Sequence, residues 1–159
     1  MSNAAQDAVE ALAACLCEQL GGQDNMCFCG VLVGETTIAD YIGDCEDCGM
    51  AWVRVSAMYP AVGVNLPSTL PNNCNAMLGV DIEIGVLRCI SVGASDGSPP
   101  TAAEMLASAQ EVSDDALAMR RAVICCPADI DYVLGTYSPI GPQGGIVGGT
   151  WNLSLLVNA

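Results

Sequence analysis

Four cysteines between residues 27 and 48 have the type and spacing that could hold a metal ion. Cys27 and Cys29 open the segment CFCGVLVGETTIADYIGDCEDC, and Cys45 and Cys48 close it. Two CxxC pairs about 15–20 residues apart are typical of a structural zinc site. The second pair fits this pattern, whereas the first is one residue too short. Cys27 and Cys29 would still point to the same face of a strand, so zinc ligation stays open.

Disulfide bonds and simple core packing are the alternative interpretations. The chain has 10 cysteines, and an even number is typical of disulfide-bonded extracellular proteins. Cysteine is also among the most frequently buried residue types. Packing explains the cysteines in apolar segments as well as bonding does, and these are Cys15, Cys17, Cys89, Cys125 and Cys126. The sequence therefore leaves the redox compartment open.

The other residue types argue against catalysis and against binding to nucleic acid. The chain of 159 residues has no histidine, which removes the commonest general base and the usual serine and cysteine triads. Its 18 acidic residues outnumber four basic ones, so it offers phosphates no basic surface. Asp81 and Glu83 come nearest to a catalytic pair, but such acids are usually solvated. We expect that the protein is not an enzyme and has no cofactor, and we assign no residue as a metal ligand.

Length and hydropathy predict one domain over residues 1–159. The composition is 52% hydrophobic, which is ample for a core. No run of about 18 uncharged apolar residues occurs, so we expect no membrane-spanning helix. The first residues include Asp7 and Glu10 and no basic residue ahead of an apolar stretch, which argues against a secretory signal.

Hydrophobic periodicity predicts an α+β domain of order α-β-β-β-α(α)-β-β. An antiparallel or mixed sheet with helices packed on one face is the natural solution for that order. The first helix ends at Gly21-Gly22, and a capping box at Thr101–Glu104 starts the second, which Ser113–Asp115 could break and restart. Three strands are predicted between the helices, and a hairpin with a Gly- and Pro-rich turn follows them. The strands span 27–34, 50–59 and 77–92, the hairpin arms 131–137 and 150–157, and the turn 138–149.

Alternation along two strands predicts which side chains face the core. In the strand 50–59, one face carries Ala51, Val53, Val55, Ala57 and Tyr59. The other face carries Met50, Trp52, Arg54, Ser56 and Met58. In the last strand, Trp151 is expected in the core together with Leu153 and Leu155. The segment 60–75 has three prolines and is predicted to be a long loop.

Four segments together resemble the tail-terminator or neck proteins of long-tailed actinobacterial phages. They are AMRRAVICC at 118–126, YVLGTYSPIGPQGGIVGGTWNLSLLV at 132–157, CGMAWVRVSAMYP at 48–60 and IEIGVLRC at 82–89. The resemblance covers about residues 5–157 and includes the order of the elements. It implies a structural protein without catalytic residues.

The resemblance also implies partners and a location. Such proteins form a homohexameric ring at the head-proximal end of the tail and stop polymerisation of the tail tube. The tail-tube protein would lie on one face and a head-tail connector or stopper on the other. The protein would be made in the host cytoplasm and reside in the virion, without a membrane. An acidic lumen would let DNA pass without specific binding.

Ring contacts are expected from the loop 60–75 and the turn 138–149, because a ring needs heterologous contacts that close. Arg120 and Arg121 are expected to pair with carboxylates, within the subunit or across the ring. The alternatives are another neck-ring protein, a capsid decoration protein or a carboxylate-dependent hydrolase.

A virion released into oxidising surroundings favours disulfides over zinc at Cys27, Cys29, Cys45 and Cys48. These bonds would fix the acidic loop to the start of the first strand. Assembly in a reducing cytosol would delay or prevent them.

Overall fold

The computed structural model describes residues 4–22, 26–34, 49–63, 66–67, 77–90, 97–125, 132–143 and 145–158. Within these ranges the elements follow the order α1, β1, β2, β3, β4, α2, β5, β6. The helices are α1 (Ala4–Gln19) and α2 (Ala102–Cys125). The strands are β1 (Phe28–Val31), β2 (Gly49–Gly63), β3 (Leu66–Pro67), β4 (Met77–Cys89), β5 (Tyr132–Gln143) and β6 (Ile146–Asn158).

The strands form one mixed sheet in the order β1-β2-β4-β6-β5. β1 is parallel to β2, the remaining pairs are antiparallel, and the short β3 pairs with the end of β2. Both helices pack on the same face, α1 against β1 and β2 and α2 against β4 and β6, and they contact each other. The predicted α+β class is confirmed. Neither described helix is both long and apolar enough to cross a membrane.

The main core lies between the helices and the sheet. Buried apolar residues recur every three or four positions along α1, as helical periodicity predicts, and they include Val9, Leu12 and Leu16. α2 adds Met119, Ala122 and Val123 near its C-terminal end. The alternating apolar residues of β4 complete this core with no exposed surface, and they are Val80, Ile82, Ile84 and Val86. The alternation of these apolar residues with Asp81 and Glu83 along the strand 77–92 predicts one dry face, and the structure confirms it.

A second apolar cluster lies on the face opposite the helices. Trp52 is only 1% exposed and packs there with Met50, Leu87 and Leu32. A Cβ on Gly85 would lie 2.1 Å from Cζ2 of the Trp52 ring. Only glycine leaves room for the indole, so both faces of this end of the sheet are buried.

A bulge in β2 makes the predicted face wrong for the second half of that strand. The register shifts between Val55 and Ala57, which leaves Ser56 as the extra residue. One extra residue reverses the alternation of side chains. Ala57 and Tyr59 therefore lie on the face opposite the helices, where the Tyr59 hydroxyl donates to Asp81 Oδ1 at 3.3 Å.

α2 is one continuous helix, so the predicted break at Ser113–Asp115 is wrong. The Ser113 hydroxyl donates back to the carbonyl of Ala109 at 2.9 Å. Asp115 binds an arginine on β4. Both side chains are thus engaged elsewhere, and neither caps a new helix.

The predicted turn at 138–149 is also wrong over most of its length. β5 and β6 run through this segment, and Ser138, Pro139 and Ile140 all pair with β6. β5 is an edge strand, where proline is tolerated because its missing N–H faces solvent. Gly149 has room for no side chain, since a Cβ would lie 2.3 Å from the Tyr137 hydroxyl. Here glycine permits close packing in a strand.

The capping box at the start of α2 is confirmed. The Thr101 N–H and hydroxyl both donate to Glu104 Oε2, at 2.7 and 2.9 Å. The Glu104 N–H donates to the Thr101 hydroxyl at 3.3 Å. The backbone hydrogen bond from Thr101, followed by the side-chain one, lowers the pKa of Glu104.

This lowered pKa gives a prediction for the pH dependence of stability. A carboxyl whose folded pKa is lowered stabilises the fold above its unfolded pKa, and that contribution is lost as pH falls through the folded value. We expect Glu104→Gln to flatten the fall in unfolding free energy below about pH 4.3, the ordinary glutamate value. Urea unfolding between pH 3 and 6 measures this, with the exposed Glu18→Gln as the control. Equal flattening by both variants would contradict the assignment.

Candidate functional site

All but one of the cysteines among the described residues form disulfides. Cys17 of α1 is bonded to Cys29 of β1, with their Cα atoms 5.8 Å apart. Cys15, Cys27 and Cys89 are disulfide-bonded too. Disulfide chemistry is therefore confirmed at Cys27 and Cys29, which have no thiolate left to bind zinc.

The predicted connection is wrong for Cys29, because its partner lies on α1 and not in the segment 35–48. Simple core packing is likewise wrong for Cys15, Cys17 and Cys89. Cys125 is a free, exposed thiol. The described ranges contain no cluster of three or more potential metal ligands. Predicted sites at Cys45, Cys48 and Cys126 lie outside the described residues.

The bond between Cys17 and Cys29 should contribute to stability. The two cysteines are 12 residues apart in sequence, and closing a loop of that size stabilises a fold by about 2–4 kcal/mol. We expect the Cys17→Ser/Cys29→Ser variant to lose this amount in urea unfolding without reductant. Cys125→Ser is the matched control and should change stability by less than about 0.5 kcal/mol. Equal losses in both variants would contradict a specific role for the bond.

Glu83 is one of the two acids that come nearest to a catalytic pair, and two side chains donate hydrogen bonds to it. Arg54 Nε donates to Glu83 Oε1 at 2.8 Å, and Trp52 Nε1 donates to the same oxygen at 3.0 Å. Arg54 also reaches the carbonyl of Gly34 at 3.1 Å. The buried indole N–H thus donates to a charged acceptor, and the network links β2, β4 and the segment that follows β1.

Asp81 is engaged in the same way. The Ser154 hydroxyl donates to Asp81 Oδ1 at 2.6 Å, and the Tyr59 hydroxyl reaches that oxygen at 3.3 Å. These bonds link β2, β4 and β6 across the face opposite the helices. Asp81 and Glu83 both accept bonds from protein donors, an arrangement that braces the sheet.

The most buried charges were missed by the sequence reasoning. Arg88 of β4 makes a two-pronged contact with Asp115 of α2, with Nε–Oδ2 and Nη2–Oδ1 both at 2.8 Å. Glu111 lies 3.5 Å from Nη1. Asp115 is 5% exposed. The hydrogen bonds that Arg88 donates to the Asp115 carboxylate raise the pKa of Arg88 above its ordinary value, so the guanidinium stays charged. The arginine within the apolar run GVLRC could have indicated a buried cation that needs a carboxylate partner.

An aromatic pair lies beside this ion pair. Tyr137 and Trp151 have ring centroids 5.6 Å apart, and Trp151 Nε1 donates to the carbonyl of Ala116 at 3.2 Å. Burial, helped by the charge of Asp115, raises the pKa of the Tyr137 hydroxyl. Leu153 is buried as predicted, whereas Trp151 is only half-buried at the margin of the core.

Arg120 and Arg121 are exposed on α2, unlike the other two arginines. Arg54 and Arg88 are bound to carboxylates. Within the described part of the chain, Arg120 and Arg121 have no ion-pair partner. Their predicted pairing inside the subunit is therefore not seen there, and pairing across subunits stays a prediction. Of the two predicted ring contacts, the loop 60–75 is wrong over 60–63 and 66–67, because β2 extends to Gly63 and Leu66–Pro67 forms β3. The rest of that segment lies outside the described residues, and the predicted turn 138–149 is mostly strand.

No protein-family model matches the chain, and no curated protein matches it either.

Proposed function

We propose that the protein is a structural virion protein that forms a ring at the head-proximal end of a phage tail. In this role it ends polymerisation of the tail tube and joins the tail to the head connector. The observation that carries the proposal is the arrangement of two helices on one face of a mixed sheet. This is the architecture that the resemblance over residues 5–157 implies.

Three further features support a structural role. The acids nearest to a catalytic pair, Asp81 and Glu83, brace the sheet. The net charge of −14 suits the wall of a channel through which DNA must slide. Disulfides suit a particle that persists in oxidising surroundings after release.

A capsid decoration protein is the second candidate, because a small module stabilised by bonds such as Cys17–Cys29 suits an exposed outer surface. Binding to purified capsid shells distinguishes it, since a tail protein should leave shells bare.

A nonsense codon in the gene tests the main proposal. Without the protein, we expect electron micrographs of lysates to show unattached tails of uncontrolled length beside filled heads. Tails of normal length, attached to heads, would contradict the proposal.

A further inference from the structure

The outward side of α2 carries exposed apolar residues and two arginines, with Gln110, Ser113 and Asp114 between them, on a strongly acidic protein. Leu106, Leu117 and Ile124 are 60%, 49% and 48% exposed. At 100° per residue their spacings of 11 and 7 place them on one line, with Arg120 and Arg121 beside it. These are the two arginines that have no ion-pair partner among the described residues. We call this surface the α2 line.

The outward side of α1 has the opposite character. Asp7, Ala11, Ala14 and Glu18 follow one another there, and Glu10 lies beside them; all five are exposed. The same helical spacing puts them on one line, directly opposite the buried face of α1. We call this surface the α1 line. It is small and acidic, whereas the α2 line is bulky and basic.

We propose that the α2 line of one copy docks on the α1 line of a second copy. Large apolar side chains would then pack over alanines, and Arg120 and Arg121 would meet Glu10 and Glu18.

Charge determines which surface can bind the α2 line. The chain carries −14 overall, so two copies repel each other unless their scarce cations meet acids. A second α2 line is a poor partner because it would bring the same two arginines face to face. The contact joins two different surfaces that both lie on the outer side of the helix layer, so two facing copies can make it twice about a two-fold axis. This pairing goes beyond the proposed function, because a ring would need further contacts between subunits.

Charge exchange in sedimentation velocity tests this contact. We expect the purified protein to self-associate. Arg120→Glu/Arg121→Glu and Glu10→Arg/Glu18→Arg should each weaken association at least tenfold. Mixing these two variants should restore association, because the acidic α2 line of one then meets the basic α1 line of the other. The four-substitution variant should associate as the wild type does.

Val133→Glu is the matched control, since Val133 is exposed on β5, away from both helix lines, and it should associate normally. Circular dichroism checks that every variant folds, and the mixing arm cannot succeed with unfolded chains. Purely monomeric wild-type protein, undiminished association of either reversal variant, or failure of the folded variants to associate on mixing would overturn the contact. The tail-length experiment is independent of these outcomes, so failure of the contact and failure of the proposed function are distinguishable.

Discussion

Asp115→Ala is expected to lower the unfolding free energy by about 3–5 kcal/mol, because it leaves Arg88 charged without its buried partner. The side chains of Arg88 and Asp115 are 15% and 6% exposed, and their contact has two bonds of 2.8 Å. Glu111 is more exposed and farther away, so it compensates little. Urea unfolding monitored by circular dichroism measures the loss.

Asp114→Ala is the matched control for this change, since the neighbouring carboxylate is exposed, and it should cost less than about 0.5 kcal/mol. A double variant, Arg88→Met/Asp115→Leu, should recover most of the loss because apolar residues of similar volume can replace a buried ion pair. Similar losses for Asp115→Ala and Asp114→Ala would show that the ion pair does not stabilise the fold.

Trp52→Ala is expected to cost a similar amount, about 3–5 kcal/mol, because it empties the centre of the second apolar cluster. It also removes the indole donor to Glu83 and exposes the space over Gly85. Denaturant unfolding again gives the value. Trp151→Ala is the comparison variant, and its half-buried position should make the loss smaller. A larger loss for Trp151→Ala than for Trp52→Ala would contradict this prediction and show that Trp151, beside α2, contributes more to stability.

Local patterns predicted much of the fold. The periodicity of α1, the alternation along β4 and the Thr101–Glu104 capping box depend on neighbours in sequence, and all three are present. The β2 bulge could not be predicted this way, because one extra residue is invisible in an alternating pattern until its partner strand is known. The glycines of 138–149 indicated a turn, yet Gly149 makes room for Tyr137.

The interactions missed by the sequence reasoning depend on tertiary contacts. Cys17 and Cys29 meet because α1 packs against β1, and cysteine spacing along the chain contains no information on that packing. Arg88 and Asp115 are likewise brought together by the packing of α2 on β4. Ser and Asp at 113–115 favour a cap locally, but the buried arginine provides the stronger interaction for Asp115.

The location of the protein in the particle tests the central claim most directly. Virions carrying an epitope tag on this chain can be labelled with gold-conjugated antibody and imaged by negative-stain electron microscopy. The proposed ring predicts gold at the junction between head and tail, and on the head-proximal end of detached tails. Gold spread over the capsid surface, or virions without any label, would contradict it.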